Sequence, residues 1–106
     1  MITVTFHRKE EILCGFDMSG HAGYDEEGYD IVCAGASTAV QMTANAITEI
    51  LQFPASLVVK DNRIVLSLND EPLMPESVLF LESFSLQMQL MEEEYPEYIT
   101  LNYVEV

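Results

Sequence analysis

The chain has 106 residues, of which 18 are Asp or Glu and only 4 are Lys or Arg, so its formal net charge is −14. Hydrophobic residues make up 49% of it, which excludes intrinsic disorder and predicts a single domain over residues 1–106. The acidic excess argues against nucleic-acid and membrane binding; it would attract basic partners, unless it serves only solubility. No apolar stretch is long enough to span a bilayer, and no export signal opens the chain, so we expect a cytoplasmic protein with reduced thiols.

The first segment predicts two antiparallel strands, Met1–Arg8 and Glu11–Ser19, joined by a short polar turn. In the second strand every other residue is apolar, which assigns one face to Ile12, Cys14, Phe16 and Met18. Cys14 is therefore expected to be a buried small hydrophobic residue without chemistry. His7 falls among the polar positions of the first strand and is expected to be exposed.

A glycine-punctuated acidic loop, Gly20–Tyr29, precedes a long helix. We predict that this helix runs from Ile31 to Leu51, because it is rich in alanine and Pro54 follows its end. Asp30 stands at the position where a carboxylate caps a helix N-terminus.

The rest of the chain contains two further strands, a second helix and a closing strand. The predicted boundaries are Ala55–Lys60, a tight turn at Asp61-Asn62, Arg63–Leu68, a loop over Asn69–Pro75, a helix over Glu76–Glu93 and a strand over Glu97–Val106. The order ββαββαβ predicts the α+β class, a mostly antiparallel sheet with two long helices packed on it.

The second helix has two apolar faces. One is expected to face the core and consists of Phe80, Leu81, Phe84, Met88 and Met91. The opposite face carries Leu79, Leu86 and Leu90, and a second apolar stripe on so charged a protein needs a cover. Either a homodimer forms through this helix, or the C-terminal strand or a loop covers the stripe within one chain.

His21 and Cys33 are the residues that most resemble a chemical site. With Asp30 as the cap, Cys33 lies in the first helical turn, where unpaired N–H groups and the helix dipole favour a thiolate. An imidazole on the preceding loop can take the thiol proton, so we predict a thiol–imidazole pair. The alternative is that Cys33 is simply packed and that His21 lies at the surface.

Neighbouring residues have two possible roles each. Asp30 can cap the helix, which we favour, or orient the His21 ring as a third catalytic member. Ser37, one turn beyond Cys33, can donate a hydrogen bond to sulfur or substrate, or merely pack. First-turn N–H groups, that of Cys33 included, could stabilise an oxyanion. A metal site is not expected, because one His and one Cys leave zinc short of ligands.

Two segments together resemble the signature of a known family. They are GHAGYD over Gly20–Asp25 and YDIVCAGAS over Tyr29–Ser37, and they are similar to the motif of the ribosomal-processing cysteine protease family, often called Prp. The length and the ββαββαβ order are also similar to that family, so the resemblance covers the whole chain.

The resemblance implies a cytosolic endopeptidase that removes a short N-terminal extension from a large-subunit bacterial ribosomal protein, without a cofactor. It implies that Cys33 is the nucleophile and His21 the general base, with supporting roles for Asp30 and Ser37. The three glycines of the loop that carries His21 indicate separately that this loop is a lid. Gly20 and Ala34 adjoin the pair in the motif and are candidates for substrate binding; small side chains such as Ala34 would leave room for bulky substrate residues.

The resemblance further implies a homodimer and a basic substrate, which the acidic loop would attract. Two other functions remain compatible with the residues. One is a non-enzymatic acidic adaptor that binds a basic ribosomal protein, and the other is thiol chemistry on a small substrate.

Overall fold

A computed structural model describes residues 1–69 and 72–106, which form a sheet with two helices. The strands are β1 (Ile2–Lys9), β2 (Ile12–Ser19), β3 (Ala55–Lys60), β4 (Arg63–Leu68) and β5 (Ile99–Glu105). The helices are α1 (Ile31–Asn45), which continues into one π-helical turn (Ala46–Ile50), and α2 (Pro75–Glu94). The predicted ββαββαβ order is confirmed. Asp70 and Glu71, in the predicted loop before α2, lie outside the described residues.

The sheet has five strands in the order β3-β4-β2-β1-β5. The pairs β1–β2, β2–β4 and β3–β4 are antiparallel, whereas β5 lies parallel to β1. The predicted α+β class with a mostly antiparallel sheet is therefore confirmed. The C-terminal end of β2, which is the central strand, leads to the site described below, because the loop after Ser19 runs directly to α1.

The core lies between the sheet and the helices. Phe84 of α2 packs against Phe6 of β1 and Phe16 of β2, with ring centroids 5.5 and 4.9 Å apart. Alternation along β1 places every second side chain in this core, and the small residues of α1 let its buried face approach closely. The largest fully buried residues are Phe6, Phe16, Phe84, Ile2, Ile47, Leu66, Leu81, Met88, Ile99, Val4, Val32 and Val40.

The predicted apolar face of β2 is wrong at its first two positions. The register shifts between His7 and Arg8, which pair with Gly15 and Leu13, so Cys14 is the extra residue of a β-bulge. As a consequence Leu13 is buried and Ile12 is 47% exposed. Cys14 is only half-buried, and its thiol donates a hydrogen bond to the His7 carbonyl oxygen at 3.5 Å. His7 is also half-buried and not exposed as predicted, because its strand lies between two others.

Helix α2 presents one face to the core and one to solvent. Of the predicted core face, Leu81, Phe84 and Met88 are buried, while Phe80 and Met91 are half-buried and pack against the core. The outer leucines Leu79, Leu86 and Leu90 are 62%, 57% and 50% exposed. Within residues 1–69 and 72–106, neither β5 nor a loop covers these leucines. In the described part of the chain, no helix has the length and hydrophobicity needed to cross a membrane.

Candidate active site

A cleft of about 520 Å³ lies where the loop after β2, the start of α1 and the β3–β4 hairpin meet. It is lined by all the residues that the sequence singled out, namely Gly20, His21, Asp30, Cys33, Ala34 and Ser37. Their convergence follows from the fold, because the loop doubles back across the first turns of the helix that it precedes. Cys33 is half-buried, while His21, Ala34 and Ser37 are exposed to solvent in the cleft.

The sulfur of Cys33 accepts a hydrogen bond from the backbone of the loop. The N–H of Ala22 donates to Cys33 Sγ across 3.1 Å, and Ala22 itself is buried. A backbone N–H directed at sulfur stabilises negative charge on it, as does the helix N-terminus on which Cys33 sits. The residue after His21 thus supplies a backbone hydrogen-bond donor to the Cys33 sulfur.

Asp30 joins this loop to the helix. Its Oδ1 accepts from the N–H of Cys33 at 2.9 Å, and its Oδ2 accepts from the N–H groups of Tyr24 and Asp25 at 3.0 and 3.4 Å. Asp30 is therefore the helix cap that we predicted, and it also anchors the loop. The cap engages the N–H of Cys33, so that group is not free to bind an oxyanion as the sequence suggested.

The hydrogen bonds also set the ionisation of this carboxylate. Burial alone would raise the pKa of Asp30, but the backbone donors of Cys33, Asp25 and Tyr24, with a smaller contribution from the Cys33 side chain, hold that pKa below its usual value. Because the folded pKa is lowered, the ionised carboxylate stabilises the fold above its unfolded pKa of about 3.9. That contribution is lost as the pH falls through the folded value.

Two substitutions of Asp30 distinguish its contact with the helix from its contact with the loop. Asp30→Asn keeps an oxygen for the Cys33 cap but directs an NH₂ group at the N–H groups of Tyr24 and Asp25. Asp30→Ala removes both contacts. At pH 7 we expect the melting temperature to fall by about 5 °C for Asp30→Ala and by less for Asp30→Asn. Urea unfolding at pH 7 and at pH 3 should show the advantage of wild type over Asp30→Asn shrinking in acid; an equal advantage at both values would contradict the role of charge.

The backbone around His21 is held from two sides. Gly20 has a φ of +89°, its N–H donates to the Asn62 carbonyl oxygen at 2.9 Å, and a Cβ on it would collide with the Met1 carbonyl oxygen. The Met1 amino nitrogen donates to the carbonyl oxygen of His21 and, at 3.4 Å, to that of Ala22. Only glycine fits at position 20, and the contacts on either side fix where the His21 side chain leaves the backbone.

Known proteins match this chain over nearly its whole length. The family model described as cysteine protease Prp matches residues 1–100. The ribosomal processing cysteine protease Prp of Staphylococcus aureus (strain Mu50 / ATCC 700699) is 39% identical over 92 residues, which are 81% of this chain and 82% of that protein. The chain belongs to the cysteine protease Prp family. It is accordingly a cysteine protease.

Solved structures of the Staphylococcus aureus Prp have the same fold. The crystal structure with a covalently linked product peptide is 34% identical, with a TM-score of 0.91, and the match covers 98% of this chain and 100% of that one. The structure with a substrate peptide has the same identity and coverage and a TM-score of 0.85. The fold and the family that the motif indicated are therefore confirmed.

Sequence reasoning about this Prp chain missed one side of the cleft. The β3–β4 hairpin contributes Val59, Lys60, Asn62, Arg63 and Ile64 to the lining. Two of the four basic side chains of the chain, Lys60 and Arg63, are among them. Nothing local in the hairpin sequence indicates proximity to Cys33. The sequence of β3 offered one indication, because it has apolar residues on both faces. A strand at the edge of a sheet cannot bury both faces, so one of them is free to contact a ligand.

The Gly20–Tyr29 loop also makes an aromatic contact that its sequence did not predict. The ring of Tyr24 meets those of Tyr95 and Tyr98 edge-on, with centroids 5.6 and 5.2 Å apart. The loop is thus fastened at Asp30 on one side and at the end of α2 on the other. No group of three or more His, Cys, Asp or Glu within residues 1–69 and 72–106 is arranged to hold a metal ion.

Proposed function

We propose that this chain is a cysteine endopeptidase that uses Cys33 as its nucleophile and His21 as its general base. The Cys33 thiolate attacks a peptide carbonyl, the amine leaves with the proton held by His21, and water then hydrolyses the thioester and regenerates the thiol. The observation that carries the proposal is the half-buried Cys33 sulfur, which sits at a helix N-terminus, accepts the Ala22 N–H at 3.1 Å and lines one cleft with His21. Asp30, Ser37, Gly20 and Ala34 support the pair or contact the substrate.

The substrate that fits best is the basic N-terminal extension of a large-subunit ribosomal protein. The names of the relatives connect the family with ribosomal processing, and the Staphylococcus aureus protein has been crystallised with a substrate peptide and with a covalently linked product peptide. Asp25 and Glu27 line one side of the cleft in a chain of net charge −14, which favours the approach of a basic peptide.

The test is the intact mass of the ribosomal-protein precursor from the same organism after incubation with the protein. We expect a single shorter product that lacks the N-terminal extension. The control is the same precursor with the extension already removed, which should keep its mass. A precursor that binds the protein but keeps its full mass would overturn the protease proposal in favour of the adaptor.

We propose that the protein is a homodimer through the outer face of α2. Leu79, Leu86 and Leu90 project from this helix and are at least half exposed in the single chain. Introducing a charge with Leu86→Lys should convert a dimer to a monomer in sedimentation equilibrium, because the lysine would have to be buried in the interface. Val104→Lys, at an exposed site on β5, is the control. A concentration-independent monomer mass for wild type would contradict the proposal.

The remaining features of the proposal concern the setting of the enzyme. We place it in the cytoplasm, where its thiols stay reduced, and treat residues 1–106 as one protease domain. The Gly20–Tyr29 loop acts as a lid that hinges at Gly23 and Gly28, since both adopt positive φ in open space, whereas Gly20 is held beside Met1 and Asn62.

A further inference from the structure

The loop that carries His21 is attached to the end of α2 by a tyrosine ring. Tyr24 meets the rings of Tyr95 and Tyr98 with both pairs of ring planes inclined at 78°. This edge-to-face arrangement is favoured, because it sets the positive edge of one ring against the negative face of another. The Tyr24 side chain is 42% exposed, whereas Tyr29, the other tyrosine of the loop, is 74% exposed. Tyr24 therefore fixes this part of the loop against α2.

The two rings that Tyr24 contacts belong to a well-anchored part of the fold. Tyr95 and Tyr98 are half-buried and pack against the core. Tyr95 caps the C-terminus of α2, and its N–H donates to the Met91 carbonyl oxygen at 2.8 Å. The Tyr98 carbonyl oxygen accepts the N–H of Ile2 at 2.9 Å, which joins the same segment to β1. A ring packed here takes its position from the sheet and from α2, and not from the loop.

The backbone of the same tyrosine is joined to the helix that carries Cys33. The Tyr24 N–H donates to Asp30 Oδ2 at 3.0 Å, and Asp30 Oδ1 accepts the N–H of Cys33 at 2.9 Å. Two residues before Tyr24, the N–H of the buried Ala22 donates to Cys33 Sγ at 3.1 Å. A displacement of Tyr24 would thus disturb both the cap of α1 and the donor that meets the sulfur.

The backbone on either side of Tyr24 offers little stiffness of its own. Gly23 and Gly28 have φ values of +73° and +90°, and each lies in open space. Glycine has the widest choice of backbone conformations, so a segment bounded by two such residues can take many positions. A ring held between them removes much of that freedom.

We infer that Tyr24 is a positioning residue of the protease, whose ring holds the loop where the Ala22 N–H meets the Cys33 sulfur. The inference rests on the proposed function, in which Cys33 is the nucleophile, and adds to it a residue that does not line the cleft. Tyr24 acts on the reaction through the backbone of its neighbours, without its ring touching the substrate. Because small displacements of reacting groups cost large factors in rate, loss of the ring should appear in kcat.

The first measurement is the kinetics of precursor cleavage by three variants. Tyr24→Ala removes the ring, Tyr24→Phe keeps the ring without its hydroxyl, and Tyr29→Ala removes a ring of the same size from the same loop. We expect Tyr24→Ala to lower kcat about tenfold, with less than about a twofold change in KM. Tyr24→Phe should restore most of the wild-type kcat. The loss in Tyr24→Ala should exceed the loss in Tyr29→Ala by about fivefold or more.

The second measurement observes the loop without any substrate. Amide hydrogen exchange is followed by NMR in wild type and in Tyr24→Ala. The Ala22 N–H, which is buried and bound to sulfur, should exchange about tenfold faster in the variant. The Gly20 N–H is the internal control. Its bond to the Asn62 carbonyl oxygen lies before the hinge at Gly23, so its protection should be unchanged.

A substitution on the other side of the contact tests the same link. Tyr98→Leu keeps an apolar side chain against the core but removes the ring that Tyr24 meets. If Tyr24 acts through this contact, Tyr98→Leu should lower kcat less in the Tyr24→Ala protein than in wild type, since the contact is already lost there. Losses of kcat that simply multiply in the double variant would overturn the inference.

The outcomes separate this inference from the proposed function. If wild type cleaves the precursor and Tyr24→Ala keeps both its kcat and the protection of Ala22, the positioning role is wrong and the protease stands. If wild type leaves the precursor intact while Ala22 exchange still depends on Tyr24, the protease is wrong and the hold of Tyr24 on the loop stands.

Three further results would assign another role to Tyr24 and overturn the inference. A rise in KM with kcat unchanged would make Tyr24 a substrate contact. A Tyr24→Phe enzyme as slow as Tyr24→Ala would assign the effect to the hydroxyl and not to the ring. A higher kcat in Tyr24→Ala would mean that the ring restrains the loop during turnover and does not position it for the reaction.

Discussion

Cys33→Ala is expected to abolish removal of the N-terminal extension from the ribosomal precursor. An alanine side chain has no nucleophile, and the neighbouring N–H groups can only polarise a carbonyl that nothing attacks. The rate should fall about 10⁴-fold or more, which is the loss seen when a covalent nucleophile is removed from other proteases. The measurement is the fraction of shortened precursor over time by intact mass, with binding of the uncleaved peptide retained.

The chain carries its own control for this experiment, since it has two cysteines. Cys14 is half-buried in the β-bulge of β2 and does not line the cleft. Cys14→Ala should therefore cleave the precursor at the wild-type rate. If Cys14→Ala were inactive and Cys33→Ala active, the site would have been assigned to the wrong thiol; activity in both variants would exclude cysteine catalysis in this cleft.

Alternating patterns predicted the strands because hydrophobic alternation is a local property. The same reasoning failed at Cys14, since a bulge inserts one residue into the pairing and reverses the faces of everything on its far side. Ile12 and Leu13 are both aliphatic, so the sequence offers no sign of which one points inward. Only the register against β1, where Arg8 pairs with Leu13, decides it.

The position of β5 in the sheet could not be predicted from the sequence either. Its pattern predicts a strand, but a strand that follows a long helix can join either edge of the sheet. In the structure Ile99 pairs with Ile2, and β5 runs parallel to β1. Helix α2 makes this connection possible, because it crosses the sheet and returns the chain to the end where β1 began.

The candidate site was half predictable, and the division follows sequence distance. His21, Asp30 and Cys33 lie within one loop and one helical turn, so capping rules and side-chain chemistry bring them together. Val59 and Ile64 reach the same cleft only through the pairing of β4 with β2. The Ala22 N–H that meets the Cys33 sulfur at 3.1 Å has no side-chain signature at all, since any residue would supply it.

The carboxylate of Asp30 binds both the loop and helix α1. Asp30 binds Cys33 with one oxygen and Tyr24 and Asp25 with the other, so movement of the loop changes the hydrogen bonds of the helix that carries the thiol. If the loop is the lid that we propose, Asp30 links its position with the hydrogen bonds around Cys33. The Tyr24 contacts with Tyr95 and Tyr98 give the loop a second attachment that does not involve charge.

The second large effect is expected for His21→Ala, with His7→Ala as the matched control. Without the imidazole, the cleft lacks the base that we propose takes the proton of Cys33 and returns it to the leaving amine. The value of kcat should fall by about 10²- to 10⁴-fold while KM for the precursor peptide changes little, because the ring acts on the proton and not on peptide affinity. His7 is half-buried in β1 and does not line the cleft, so its replacement should preserve kcat.

A His21→Ala enzyme that kept the wild-type kcat would leave Cys33 to act through the helix N-terminus and the Ala22 N–H alone. A rise in KM without a fall in kcat would instead make His21 a substrate-binding residue.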